Sequence, residues 1–194
     1  MLVTNILEVT RSERTRQRLQ DHAVRLFVQR GFDNVTVEEV ARAAGVSHMT
    51  FYRHFPTKES VVLDDPYDPV IGAAVARQDT TLPALERVRL GILESWGRLE
   101  EPADVATRTR IRLATNNASL RARIWENNLR TEDIIVDALT GTGVPTLEAR
   151  VAAGAVNGAL TAALFDWAEH HDAGSLGDRI RVALSMLRTG VAAR

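Results

Sequence analysis

The chain has 194 residues, 45% hydrophobic and 25% charged, the proportions of an ordinary globular protein with room for a small headpiece on a larger body. With no cysteine, it excludes disulfides, thiolate metal sites and cysteine nucleophiles. No signal peptide is visible in Met1–Asn5, and the longest uncharged apolar stretch, Val151–Phe165, is too short to span a bilayer, so a cytoplasmic protein without membrane partner, metal or cofactor is expected.

The net charge of -1 hides an asymmetry. Arg11–Lys58 holds nine basic and five acidic residues and carries +4, which leaves -5 for the rest. A basic headpiece on an acidic body suggests a polyanionic partner at one end only, although a charged helix face is more often simply solvated.

In chain order, Arg11–Arg30 reads as a helix, with Leu19, Ala23, Leu26, Phe27 and Arg30 at three-and-four spacing and Gly31 as its stop. A second helix starts at Thr36, whose hydroxyl and Glu39 form a capping box, with Val35 and Val40 at the positions of a hydrophobic staple. Gly45-Val46-Ser47 is a turn between two helices meeting at an angle. Ser47 caps a third helix running to about His54, with Phe51 and Phe55 inward. Pro56 ends it, and Thr57 caps a fourth helix from Lys58.

Pro66 and Pro69 interrupt the next segment, so the domain boundary is placed within 64–69, giving a headpiece of 1–65 and a body of 66–194. The body reads as helices over Pro83–Glu100, Ala103–Asn116, Ser119–Leu139, Thr146–His171 and Ser175–Val191. No segment alternates with period two. The fold class is all-α.

The run from Thr36 to Phe55, continued by Pro56-Thr57-Lys58-Glu59 and preceded by Phe27-Val28-Gln29-Arg30-Gly31-Phe32, resembles the helix-turn-helix of TetR-family transcriptional regulators. The body is similar to the family in its general helical plan, and more distantly to actinobacterial members, some of which respond to acyl-CoA or mycofactocin-linked metabolites. The resemblance implies a helix-turn-helix headpiece on a helical ligand-binding and dimerisation domain. It also implies a homodimeric repressor bound to a pseudo-palindromic operator in double-stranded DNA. A small hydrophobic or amphipathic effector would release it.

Recognition helices meet the groove with short or polar residues at their N-terminal end. Ser47, His48, Met49 and Thr50 lie there. His48 suits a base acceptor, and Met49 or the Thr50 methyl suits a thymine methyl. Tyr52, His54, Thr36 and Lys58 suit phosphate oxygens, and the resemblance implies that role for Tyr52 and Lys58 in particular. Arg11 and Arg14, before or within the first helix, could reach an adjacent groove or phosphate. Duller alternatives stay open: Tyr52 as a ring covering the core, His54 as a packed histidine, Arg11 as a solvated arm.

In the body, Gly154, Gly158 and Ala162, and likewise Ala155, Ala159 and Ala163, make smooth stripes on a nearly apolar helix. It is either the central helix of a monomer or half of a dimerisation bundle, and the resemblance implies the second. Trp96, Trp125 and Phe165 are candidate effector contacts, with ordinary core as the alternative. Asn157, polar among small apolar residues, needs a partner: an effector group or a nearby carbonyl. An enzyme would have to use Glu169-His170-His171-Asp172, but adjacent histidines on a helix point about 100° apart, and no nucleophile or phosphate-loop element is present. A DNA-binding protein without a sensor is the other alternative.

Overall fold

The computed structural model describes residues 2–63, 68–98, 104–170 and 174–188. They form ten helices: α1 Leu2–Arg30, α2 Val37–Ala43, α3 His48–His54, α4 Ser60–Leu63, α5 Asp68–Ala76, α6 Ala84–Gly97, α7 Asp104–Asn116, α8 Ala118–Thr140, α9 Thr146–Glu169 and α10 Leu176–Met186. No strand occurs among the described residues. Two compact units divide the chain. Unit 1 is Met1–Asp64 with Thr109–Arg123, and unit 2 is Asp65–Arg108 with Ile124–Arg194.

In unit 1, α1 starts at Leu2 rather than at Arg11. No Gly or Pro precedes Gly31, so nothing stops the helix earlier, and Arg11 lies within α1 instead of on an arm before it. The end is as expected: Gly31 takes φ +85°, which only glycine adopts freely, and its N–H closes on the Phe27 carbonyl. Helix α1 packs against α2 and α4, and α2 against α3. The apolar positions they share (Leu19, Ala23, Phe27, Val40, Phe51 and Phe55 among them) are almost wholly buried. Leu26 is only half-buried and Arg30 is exposed, so the inner face of α1 is narrower than its spacing suggested. After α7, Asn117 caps α8 by accepting from Leu120 N–H at 3.0 Å, while its amide donates to Asp33 at 3.1 Å.

In unit 2, α6 packs against α5, α9 and α10, and α9 against α10. Helix α5 was not anticipated. Two prolines flagged its start as a break, but Pro69 sits in the first helical turn, where a missing N–H costs nothing. The residues between α4 and α5, Asp64–Tyr67, lie outside the described set. Helix α5 approaches α6 closely at Gly91, where an added Cβ would stand 2.9 Å from the Val75 backbone N and Cα.

Helix α9 has 24 residues, longer than the uncharged run inside it, and by length and composition alone it is long and apolar enough to cross a membrane. In the fold, its Ala149, Ala152, Ala153, Val156, Ala163 and Trp167 are buried. It ends at Glu169 and α10 at Met186, short of the expected His171 and Val191; His171, Asp172 and Val191 are outside the described residues.

Candidate nucleic-acid interface

The geometry of the headpiece starts at the turn between α2 and α3. Helix α2 begins as expected: Thr36 Oγ1 accepts from Glu39 N–H at 3.2 Å, and the Glu39 carboxylate accepts from Thr36 N–H at 2.9 Å. These bonds, the Thr36 N–H foremost and Arg30 next, hold the Glu39 carboxyl below its usual pKa. At the other end Gly45 takes φ +66°, Val46 N–H reaches the Ala41 carbonyl and Gly45 N–H the Arg42 carbonyl. This double closure turns the chain sharply into α3. Ser47 caps α3 by accepting from Thr50 N–H at 3.1 Å, and the two hydroxyls lie 3.0 Å apart.

Helix α3 is thereby fixed face by face. Phe51 and Phe55 are fully buried, and their rings lie 5.7 Å apart. On the other side His48 and Arg53 are exposed, with Met49 at 67% and Tyr52 at 45%. Ser47, Met49, Thr50, Tyr52 and Arg53 line one open concavity. Tyr52 fits both roles weighed for it, since its ring stands edge-on to Phe51 at 5.6 Å while the residue stays accessible. His54 is half-buried, and desolvation first, then the nearby charges of Arg53 and Arg16, lower its pKa below 6.5. A neutral imidazole at that position can still donate one N–H.

Arg16 and Lys58 are both turned inward in unit 1. Arg16 donates to the His54 carbonyl at 2.9 Å and lies 4.4 Å from the centroid of the Phe55 ring, which fastens the end of α3 to α1. Lys58, expected to face outward, instead donates to the carbonyls of Phe32 at 2.9 Å and Val35 at 3.1 Å. Sequence reasoning missed Arg16, although it stands three residues before Leu19 on the buried side of α1. A cation in a buried register is the signal. Helix α4 also begins two residues later than expected, at Ser60, with Thr57 Oγ1 accepting from Ser60 N–H.

The effector candidates lie in unit 2. Trp125 is 66% exposed, so within one chain its ring is a surface group rather than the wall of a closed cavity. Trp96 and Phe165 are half-buried. Asn157 is buried and its partners are internal: its amide donates to the Asn128 carbonyl at 3.2 Å and to the Glu132 carboxylate at 3.1 Å. The large buried aromatic is one not singled out, Trp167. Two buried arginines were also missed. Arg87 donates to Thr142 Oγ1 at 2.8 Å, and Arg108 is used at the end of α9. His170 pairs with Asp166 on its own helix at 3.2 Å.

A short capped helix, a glycine turn and a second helix with its aromatic side locked and its polar side open define a helix-turn-helix DNA-binding headpiece. The family model for bacterial regulatory proteins of the tetR family matches residues 19–64, and that of the MftR C-terminal domain matches 82–192, more than half of the chain. The chain belongs to the TetR family, whose members are transcriptional regulators that bind DNA.

Among curated relatives, the mycofactocin biosynthesis transcriptional regulator MftR of Mycobacterium tuberculosis is 25% identical over 114 residues, 58% of this chain and 57% of MftR. The regulator TcmR of Streptomyces glaucescens is 46% identical over 50 residues, 26% of this chain and 22% of TcmR. The chain thus spans between about a fifth and just over half of the length of these relatives. In fold, it is similar to SmeT in its triclosan complex (TM-score 0.60, 18% identity, 89% of both chains). It is also similar to Thermus thermophilus FadR in complex with lauroyl-CoA (TM-score 0.51, 24% identity, 92% of this chain and 96% of FadR).

Proposed function

We propose that this protein is a transcriptional repressor that binds a pseudo-palindromic operator as a homodimer and leaves it when a small hydrophobic or amphipathic effector binds. The observation that carries the DNA-binding half is the division of α3 into a locked aromatic side and an open side bearing His48, Met49, Tyr52 and Arg53. His48, Met49 and Thr50 read bases, Ser47 and Thr36 present helix N-termini to the backbone, and Tyr52 and His54 contact phosphate. In this division of roles, residues 1–65 form the DNA-binding domain and 66–194 the effector and dimer domain.

The dimer half is supported by an apolar stripe that α9 leaves open to solvent: Leu147, Val151, Ala155, Gly158 and Ala162. On α10, Val182 and Met186 are exposed as well. A second copy is the partner such a stripe suits, because two-fold operators are read by two-fold proteins. This stripe differs from the two read in the sequence, for Ala163 is buried and Ala159 half-buried.

Apolar or amphipathic effectors are suggested by the triclosan and lauroyl-CoA of the structural relatives and by the MftR-type body. The protein acts by binding, in the cytoplasm, and not as an enzyme. Long-chain acyl-CoA and free fatty acid, titrated into a complex of the full chain with labelled operator, test the effector half. Release by either at micromolar levels, with a rise in Tm of the free protein, is the expected result. A complex indifferent to every apolar ligand tried points to the sensorless alternative.

A further inference from the structure

We infer that Lys58 is a positioning residue, its ammonium spent on the loop that sets the start of α2, and that the charged phosphate contact of this headpiece is made by Arg53. The inference rests on the DNA-binding reading above and assigns the charges within it.

An ammonium has three N–H donors. Two of those on Lys58 are given to the carbonyls of Phe32 and Val35, and the nitrogen sits 4.2 Å from the centroid of the Phe32 ring. Phe32 itself is buried edge-on to Phe27, with ring centroids 4.9 Å apart. Val35 immediately precedes the cap residue Thr36, so holding its carbonyl fixes where α2 begins. The same loop is tied from its other side: Arg30 donates to the Asn34 carbonyl and to Glu39, and Asn34 donates back to the Arg30 carbonyl. For Lys58 to turn outward, the part-buried Val35 carbonyl would lose its partner and the Phe32 carbonyl would keep only the long bond from Val35 N–H at 3.4 Å, a costly exchange. Nor does the start of α4 offer a substitute. That helix has four residues, and Thr57 and Ser60 cap one another there.

Arg53 has the opposite disposition. It is exposed, makes no ion pair or hydrogen bond among the described residues, and lines the same open surface as Met49, Thr50 and Tyr52. Its planar fork of donors matches two phosphate oxygens at once, which an ammonium cannot do.

The test is the salt dependence of binding by the full chain to a labelled mixed-sequence duplex, for R53Q and K58M beside the unsubstituted protein. Each lost phosphate contact flattens the log–log slope by about 0.9. R53Q is expected to flatten it by about that amount per bound chain with Tm unchanged. K58M is expected to keep the slope, weaken binding by the same factor at every salt concentration, and speed amide exchange across Phe32–Thr36, with K58R restoring part of the protection. An R53Q slope equal to that of the unsubstituted protein would overturn the inference. So would a K58M slope lower by one with unchanged exchange in that loop. Because Arg53 is on the surface, its arm decides the matter even if K58M folds poorly. Failure of the unsubstituted protein to bind any duplex would be a separate result, removing the DNA-binding reading itself.

Discussion

The guanidinium of Arg108 lies 3.9 Å from the centroid of the Trp167 ring, and its nitrogens donate to the carbonyls of Trp167, His170 (2.7 Å) and Gly174 (3.1 Å). One buried cation thus satisfies the carbonyls at the end of α9, where the helix dipole favours positive charge. The Trp167 indole N–H adds its own bond to the Gly174 carbonyl at 2.9 Å. Removing the guanidinium strands the buried Trp167 carbonyl and the part-buried His170 carbonyl at about 1–3 kcal/mol each, while Gly174 keeps the indole N–H. Arg108→Met should therefore cost roughly 2–4 kcal/mol in urea unfolding, and Arg108→Lys should recover little, since an ammonium cannot span three carbonyls while stacking on the ring. A full recovery by lysine would show that charge alone matters there.

Acid should weaken the protein through His54. Burial first, then Arg53 and Arg16, hold its folded pKa below 6.5. Between 6.5 and that lower value the unfolded chain binds a proton that the native one does not, so stability falls as pH falls through this window and is level above it. Thermal melts across mildly acidic pH should show the fall, and His54→Gln should flatten it. An unchanged slope in that variant would mean that other groups are responsible.

On the dimer side, Val151→Glu places a charge in the middle of the open stripe on α9. Val151 is 63% exposed in the single chain, so the substitution leaves the fold of one copy intact. Light scattering should then find monomers with a normal Tm for the isolated chain and lost operator binding. A well-formed dimer of Val151→Glu would move the interface elsewhere.

Legibility followed the range of the interactions. The cap at Thr36 and the turns at Gly31 and Gly45 depend on residues within four or five positions of each other, and the spacing of Phe51 and Phe55 marks one face of a helix, so these are legible in the sequence. The direction of the Lys58 side chain is not legible in this way, because it is set by carbonyls 26 and 23 residues earlier in the chain. Arg16, Arg87 and Arg108 interrupt apolar faces in a way that periodicity registers as noise, although each occupies a buried or half-buried position. Trp125 illustrates the converse: helical spacing cannot distinguish an aromatic that lines a cavity from one left on the surface. Helix α5 was hidden by Pro69, which is harmless only because of where in the turn it falls.

The central claim is that α3 reads a two-fold DNA site. Its most direct test is selection of duplexes from a random-sequence pool by the purified full chain, followed by sequencing. The account predicts enrichment of an inverted repeat whose half-sites are about one helical turn, ~34 Å, apart. Variants of His48, Met49 or Thr50 should enrich a different repeat with the same spacing. A pool that emerges unenriched, or a preference that survives all three substitutions unchanged, would contradict it.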